Sequence, residues 1–160
     1  MRYIAFIAFC FVMAPVCHAL DQSDVQAFFE RYQRLLNAFN PDVTELYSDD
    51  ASIASLRHYP NGRKRVIEMT GKQMKAMVKM MMPVARSRGD ISRFSNVEIK
   101  IKDGWAKVSA ERYSVMRNYT DKGYHMIVKE TQGGGLLIVR EYSETQPHRG
   151  NGQEPDGDTE

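Results

Sequence analysis

The pattern of apolar and polar residues between positions 96 and 143 predicts a run of β-strands joined by tight turns. Apolar and charged residues alternate at positions 97–101, with the two-residue period of a half-buried strand. Asp103 and Gly104 follow, and both residue types tolerate the positive φ angles that a two-residue hairpin turn requires. Three further strands are predicted, at residues 105–116, 124–131 and 136–142. Such a sheet needs other elements to cover one of its faces.

The segment before these strands predicts a helix that would provide this cover. Apolar residues recur every three or four positions from Val25 to Phe39, so they share one face of the helix. Ser23 and Gln26 form a capping-box pattern at its start. Pro41 interrupts the pattern and suits the first position of a short second helix. The residues expected on the buried side of that second helix are Val43, Leu46 and Tyr47. Two strands are then predicted at residues 51–58 and 65–69.

A third helix is predicted from Thr70 to about Ala85, because Thr70 and Gln73 repeat the capping-box pattern. Pro83 should end or kink this helix early. Its predicted apolar stripe consists of Met74, Met77, Val78, Met81 and Ala85. Methionine packs adaptably, so the stripe favours a role in the core. The alternative is Cu(I) binding by the methionine thioethers at positions 69, 74, 77, 80, 81 and 82, and Met80 lies off the stripe.

Residues 1–19 have the layout of a secretory signal peptide. Arg2 gives a positive start, the apolar run at positions 4–16 is too short to span a bilayer, and cleavage is predicted after Ala19. The mature chain is therefore expected to be periplasmic or secreted, with no membrane span. A retained lipid anchor is the alternative, but neither Cys10 nor Cys17 follows a small residue. Both cysteines of the chain lie in this segment, so no thiol or disulfide is expected after cleavage.

The remaining chain is nearly neutral and is predicted to form one domain. Residues 20–160 carry 21 basic and 20 acidic side chains, which gives no argument for nucleic acid or an anionic membrane as a partner. The domain is expected at residues 20–145. Residues 146–160 contain no apolar side chain, a composition typical of a disordered tail.

The order of the elements and two segments resemble the nuclear transport factor 2-like superfamily, which includes SnoaL-like and ketosteroid isomerase-like proteins. Residues 46–53, Leu-Tyr-Ser-Asp-Asp-Ala-Ser-Ile, resemble the passage from the second helix into the first strand. Residues 135–143 resemble the closing strand, although Leu136 stands where tryptophan is common. The resemblance covers residues 23–144. It implies an α+β fold, a curved antiparallel sheet packed against N-terminal helices, in the cone shape of cystatin-like proteins, around a pocket.

A polar floor for this pocket is one hypothesis. A hairpin register that pairs Met116 with Met126 places Arg112 opposite Glu130, and charges among apolar residues must be paired or lie at a pocket mouth. The candidate ligand-binding residues are Tyr47, Asp50, Arg57, Arg112, Glu130, Arg140 and Tyr142. The alternative is an ordinary cross-strand ion pair, and a register slip of one residue would move Glu130 to the other face.

The opposite face of the sheet is also apolar, with few polar residues such as Glu141 assigned to it. An antiparallel sheet with one solvated face should alternate apolar and polar residues, and an exposed apolar patch commonly marks a partner surface. Members of the resembled superfamily often form dimers through this side. A homodimer is therefore predicted, with Tyr113, Ile127, Leu137 and Val139 near the centre of its interface. The alternative is that a loop or the tail covers the patch.

Three functions remain open on the sequence. The leading hypothesis is an exported, non-catalytic domain that binds a small apolar or amphipathic ligand, or serves as an accessory module, with a pocket between sheet and helices. The second is an isomerase, cyclase or dehydratase that uses a pocket carboxylate, for which Asp49 and Asp50 are candidates, and a tyrosine. The third is a dimerisation or protein-interaction module with a closed pocket. No nucleophile motif, phosphate loop or dinucleotide fingerprint appears, and no cofactor or metal is expected.

Overall fold

The computed structural model describes residues 20–146. The predicted signal peptide and all of the predicted tail except Gln146 lie outside this range. No helix within it combines the length and the apolar character that crossing a bilayer requires.

The described chain is α+β, as predicted, with its helices and strands arranged around one sheet. The elements are α1 (Gln22–Asn37), a short 3-10 helix (Pro41–Leu46), β1 (Tyr47–His58), β2 (Lys64–Thr70), α2 (Gly71–Arg88), β3 (Ser92–Lys102), β4 (Trp105–Ser114), β5 (Tyr119–Asp121), β6 (His125–Glu130) and β7 (Leu136–Thr145). The strand order is β2-β1-β7-β6-β4-β3, and β5 pairs with β4. The β1–β7 pair is parallel and the others are antiparallel, so the sheet is mixed.

Helix α1 begins two residues earlier than its capping-box pattern predicts. Asp21 is the N-cap residue, and its carboxylate accepts hydrogen bonds from the Gln22 backbone N–H and the Ser23 hydroxyl. A carboxylate at this position also interacts favourably with the positive end of the helix dipole, so it is a strong competitor for the cap. The residues of α1 that are buried against the sheet are Val25, Phe28, Phe29 and Tyr32.

Helix α2 has the predicted start but not the predicted end. Thr70 and Gln73 form the complete capping box. Gly71 lies so close to β1 that a Cβ atom there would be 1.8 Å from the Ser48 carbonyl oxygen. The helix continues through Pro83, which neither ends nor shortens it, to Gly89 in the left-handed region at φ 60°. Packing of the residues around Pro83, such as the buried Met82, offsets the cost of an interior proline.

The face of α2 that packs against the domain differs from the predicted stripe. Met82 is buried, and Met74 and Val78 pack against the core. Met77 and Met81, predicted to be core residues, are 38% and 45% exposed, so that assignment is wrong. The row that starts at Met74 and recurs every four residues faces inward. The neighbouring row, which contains Met77 and Met81, is also apolar. The apolar pattern of the sequence therefore does not show which of the two rows faces inward.

The hairpin between β3 and β4 forms as predicted, with Asp103 and Gly104 at φ 47° and 76°. Strand β5 was not predicted. It lies in the connection between β4 and β6 and pairs with the end of β4, where Arg112 is opposite Asp121.

Because β5 pairs with the end of β4, the register of β4 against β6 differs from the predicted one. Val108, not Met116, lies opposite Met126. The residues after Ser114 form a turn and β5, so β4 does not lead directly into a hairpin with β6. The expected contact of Arg112 with Glu130 is therefore wrong.

A β-bulge in β7 decides which side chains of that strand face the helices. Val128 pairs with Ile138, but the preceding residue, Ile127, pairs with Arg140, so one additional residue of β7 lies between these pairs. Such a bulge breaks the two-residue alternation of a strand. Ile138 and Glu141 are both buried although they are three positions apart.

The outward assignment of Glu141 is therefore wrong, and so is the inward assignment of Arg140 and Tyr142. Arg140 is exposed, and Tyr142 lies next to Glu141 in the alternation that resumes after the bulge.

We expect the two methionine rows of α2 to respond differently to substitution. Met82→Ala should lower the free energy of unfolding by about 2–5 kcal/mol, because it leaves a cavity in a packed interior. Met81→Ala, on the exposed row, should change it by no more than about 0.5 kcal/mol. Denaturant unfolding of both variants measures this, and equal losses would show that α2 is rotated from the orientation described.

Candidate functional site

A buried carboxylate lies at the centre of the interior between the helices and the sheet. Glu141 is 3% exposed and accepts three hydrogen bonds from tyrosine hydroxyls. Its Oε1 atom accepts from Tyr32 at 3.1 Å and from Tyr124 at 2.9 Å. Its Oε2 atom accepts from Tyr47 at 2.7 Å. We call these four residues the tyrosine–carboxylate cluster.

Each member of the cluster comes from a different part of the fold. Tyr32 lies on the buried face of α1, Tyr47 is the first residue of β1, and Tyr124 directly precedes β6. Glu141 faces them from β7 because of the bulge. The cluster therefore connects the helical layer to the central strands of the sheet.

The electrostatics of the cluster favour tyrosines that donate and a carboxylate that accepts. Burial raises the pKa of the Tyr47 and Tyr124 hydroxyls well above their ordinary value of 10.0, and the neighbouring Glu141 raises it further. The same two causes raise the pKa of Tyr32. The three hydroxyls thus stay protonated at neutral pH and donate to the two carboxyl oxygens of Glu141.

Aromatic rings fill the space around this cluster. Phe94 on β3 lies 5.2 Å from the Tyr124 ring and 6.1 Å from the Tyr32 ring, measured between ring centroids. It also contacts Phe29 edge-on at 5.3 Å. These spacings are those of favourable aromatic pairs in a packed core.

Arg112 lies at the edge of the cluster and pairs with Asp121 instead of Glu130. Its guanidinium is 3.6 Å from an Asp121 oxygen and 5.0 Å from the centre of the Tyr124 ring. Asp121 also accepts hydrogen bonds from the backbone N–H groups of Gly123 and Glu144. Burial raises the pKa of Asp121, although these donors and Arg112 act in the opposite direction. Asp121 therefore joins the β5–β6 turn to the end of β7.

The structure divides the other predicted ligand-binding residues among separate places. Of these, only Tyr47 belongs to the cluster. Tyr142 stacks on His125 at 5.3 Å, and its hydroxyl donates to Glu144. Arg57 is half-buried and pairs with Thr145, near the far end of β1 from Tyr47.

Asp50 and Glu130 are exposed, and both line a surface groove of about 350 Å³ beside the β6–β7 hairpin. The Ser48 hydroxyl donates to Asp50 and lowers the pKa of its carboxyl. The other residues that line this groove are Ser48, Lys129, Thr131, Leu137 and Val139.

A second groove lies on the other side of the same hairpin, between β7 and α1. Its volume is about 360 Å³, and it is lined by Leu20, Asp24, Ala27, Phe28, Arg31, Glu130, Gly134 and Leu136. We call it the helix groove. Its apolar wall comes from both layers of the fold, and it carries charged side chains of both signs.

The residues of the cluster that sequence reasoning missed are Tyr32, Tyr124 and Glu141. One signal was available: the buried faces of three predicted elements each carry a tyrosine, and a buried hydroxyl usually needs a hydrogen-bond partner. The identity of the partner depends on the bulge in β7, which has no local signature in the sequence.

No group of three or more His, Cys, Asp or Glu residues within residues 20–146 is arranged to hold a metal ion. His58 instead contacts Glu144 at 3.2 Å.

Comparison with solved structures identifies the fold. A nuclear transport factor 2-like protein of unknown function from Shewanella oneidensis is 16% identical over 77% of this chain and 98% of its own, with a TM-score of 0.59. A protein of unknown function with a cystatin-like fold from Nostoc punctiforme is 15% identical over 81% of this chain and 93% of its own, with a TM-score of 0.56. The predicted nuclear transport factor 2-like fold is confirmed.

A third similar structure, from Catenulispora acidiphila, is a complex with S-DNPA. It is 15% identical over 76% of this chain and 90% of its own, with a TM-score of 0.51. No protein-family model matches the sequence, and comparison with curated proteins gives no match. At these identities the likeness concerns the fold, which hosts many unrelated functions.

We expect removal of one hydroxyl from the cluster to be costly. Tyr47→Phe leaves the Oε2 atom of Glu141 without its tyrosine donor, so the free energy of unfolding should fall by about 1.5–3 kcal/mol. Tyr59→Phe is the matched control, because Tyr59 lies in the turn after β1, outside the cluster and outside the predicted dimer interface. Its effect should stay within about 0.5 kcal/mol. Urea unfolding measures both, and a silent Tyr47→Phe would contradict the role given to the cluster.

The raised pKa values also predict alkaline sensitivity. Above pH 10 the unfolded chain loses tyrosine protons that the folded chain keeps at Tyr32, Tyr47 and Tyr124. The free energy of unfolding therefore keeps its full value below pH 10. It falls as the pH rises further, by about 1.4 kcal/mol per pH unit for each tyrosine. Unfolding curves from about pH 8 to about pH 11 should show this decline, with a smaller slope in Tyr47→Phe. Equal slopes in both proteins would contradict it.

Proposed function

We propose that this chain is an exported, non-catalytic domain that binds a small amphipathic ligand in the helix groove. The observation that carries this proposal is the groove itself, which lies between α1 and the sheet and has a volume of about 360 Å³. Small-molecule sites are concave, mostly apolar, and begin at about 300 Å³. The nuclear transport factor 2-like fold, with one neighbour in complex with a small molecule, supports a ligand-binding domain in general.

The groove also indicates the chemistry of the ligand. Leu20, Phe28 and Leu136 give an apolar wall, and Asp24, Arg31 and Glu130 give a charged lining with one more acidic than basic side chain. This arrangement favours a ligand that buries an apolar body and presents a hydrogen-bonding group.

The absence of catalysis is part of the proposal because of the state of Glu141. Its two oxygens already accept three hydroxyl donors, and aromatic rings pack around the cluster. A carboxylate that removes protons from a substrate needs a lone pair directed at that substrate. The exposed Asp50 is the other carboxylate near a groove, and its lowered pKa makes it a weaker base.

Export remains part of the proposal on the layout of residues 1–19, with cleavage after Ala19. Leu20 would then be the first residue of the mature protein, and Leu20 lines the helix groove. Processing would therefore place a new α-amino group beside the groove.

The second candidate function is an isomerase, cyclase or dehydratase. The observation that favours it is the combination of a buried carboxylate with three tyrosine hydroxyls, which supplies a base and hydrogen-bond donors in one place. This candidate would come first if the protein converts a bound ligand to a product and Glu141→Gln loses that conversion but still binds the ligand.

Native mass spectrometry of the protein purified from its export compartment tests the leading proposal. The expected spectrum shows a chain that begins at Leu20 and retains a small ligand. Ala27→Trp should fill the helix groove and remove this ligand, because Ala27 lines the groove from the exposed side of α1. Ala76→Trp, at an exposed alanine of α2, is the matched control and should retain it. A ligand retained equally by both variants would place the binding site elsewhere.

A homodimer through the outer face of the sheet is proposed as well. Tyr113, Ile127, Leu137 and Val139 are each half-buried in the single chain. Val139→Glu should convert the dimer to a folded monomer in analytical ultracentrifugation, because it places a charge in a desolvated interface. Val84→Glu, on the exposed side of α2, is the control and should remain dimeric. A wild-type protein that sediments as a monomer at micromolar concentration would end this proposal.

A further inference from the structure

We propose that Met77, Met80 and Met81 form a thioether site for Cu(I) on the exposed face of α2. The proposal is independent of the helix groove and of any small ligand bound there. It starts from the part of the methionine pattern that core packing does not explain.

Exposure is the first observation. Met77, Met80 and Met81 are 38%, 70% and 45% exposed. None of them belongs to the core or packs against it, whereas Met74 and Met82 of the same helix do. Methionine is usually buried, and its adaptability in cores gives no reason for three of these side chains to face solvent together.

The spacing of the three residues brings their side chains together. Met77 is three residues before Met80 and four before Met81, so all three lie on one face of the helix. Side chains at these separations have Cβ atoms about 5–6 Å apart. Methionine is unbranched with three rotatable bonds, so the three sulfur atoms can reach a common point above the helix surface.

The donor set selects a soft cation. Thioether sulfur is a neutral, polarisable ligand of the kind that favours Cu(I), whereas harder ions prefer carboxylate, carbonyl or water oxygens. Helix α2 contains no Asp, Glu, His or Cys residue. A site of this composition therefore offers Zn²⁺ and Ca²⁺ none of their usual side-chain ligands.

Three of the five basic residues of α2 lie on a different side of the helix, whereas Lys75 pairs with Asp49 and Arg88 follows Met81 by two turns on the methionine side. Lys72, Lys79 and Arg86 recur every seven residues, so they form a second row, about 150° around the helix axis from the centre of the methionine row. The Arg86 guanidinium donates to the backbone carbonyl oxygens of Ala38 and Phe39. The charge of Arg86 is thus directed toward the end of α1 and away from the three sulfur atoms.

The test uses the protein with ¹³C-labelled methionine methyl groups, titrated with Cu(I) without oxygen in the presence of ascorbate. The expected result is a shift of the Met77, Met80 and Met81 methyl resonances together, with the buried Met82 and Met126 methyls unchanged. Competition with the Cu(I) chelator bicinchoninate should show transfer of one ion per chain to the protein. Shifts spread over all methionines, or none, would overturn the proposal.

Substitution by leucine separates a metal site from an apolar docking surface. The variant Met77→Leu/Met80→Leu/Met81→Leu keeps the exposed row apolar and removes all three sulfur atoms, so Cu(I) transfer should be lost. Met74→Leu, on the inward row, is the matched control and should bind as the wild type does. Unchanged transfer to the triple variant would overturn the proposal. Circular dichroism of each variant shows whether α2 is retained, and Ag(I) repeats the titration without redox chemistry.

Discussion

The need of one buried carboxylate for hydrogen-bond donors organises the interior of this domain. Glu141 lies where an apolar side chain would be expected, and an unpartnered charge there would cost several kcal/mol. Three hydroxyls satisfy it, one from α1, one from the start of β1 and one from the segment before β6. Burial alone would hold the helices against the sheet without fixing their positions to a fraction of an ångström. The hydrogen bonds add that directional requirement.

The same arrangement explains why the space enclosed by the cone does not serve as the site we propose for a ligand. The polar groups that converge in the interior satisfy one another, and Phe94 with its aromatic neighbours occupies the surrounding volume. What remains open is at the margin, where the β6–β7 hairpin projects between two grooves and Glu130 lines both of them. Binding at this margin leaves the hydrogen bonds of the interior intact.

Much of the fold could be predicted from the sequence, because local rules determine its elements. The period of apolar residues predicted α1, α2 and most strands, and Asp103–Gly104 marked its hairpin correctly. Which face of each element is buried was harder to predict. Two adjacent rows of α2 have nearly the same composition, so the inward row is decided by contacts with distant strands.

The candidate site depended on two further features that local rules do not contain. The short β5 changed the register of β4 against β6 and gave Arg112 a different partner. The bulge in β7 then places Glu141 on the inner face, where Arg140 and Tyr142 were predicted. Tyr47 is buried in the cluster because it follows a short apolar helix that has to be buried in any version of this fold, and its predicted role in ligand binding stays a prediction.

The separation of the cluster residues along the chain also has a consequence for folding. Tyr32 and Glu141 are 109 residues apart, and Tyr47 and Glu141 are 94 apart. Strand β7 also lies between β1 and β6, so the sheet lacks a central strand until the end of the domain has been synthesised. Contacts of such long range close slowly, because the entropy of the connecting loop is lost before they form. The sheet of a nascent chain therefore stays incomplete until nearly all of the domain is available. For the export proposed above, such a delay would leave the polypeptide unfolded while it passes through a narrow translocation channel.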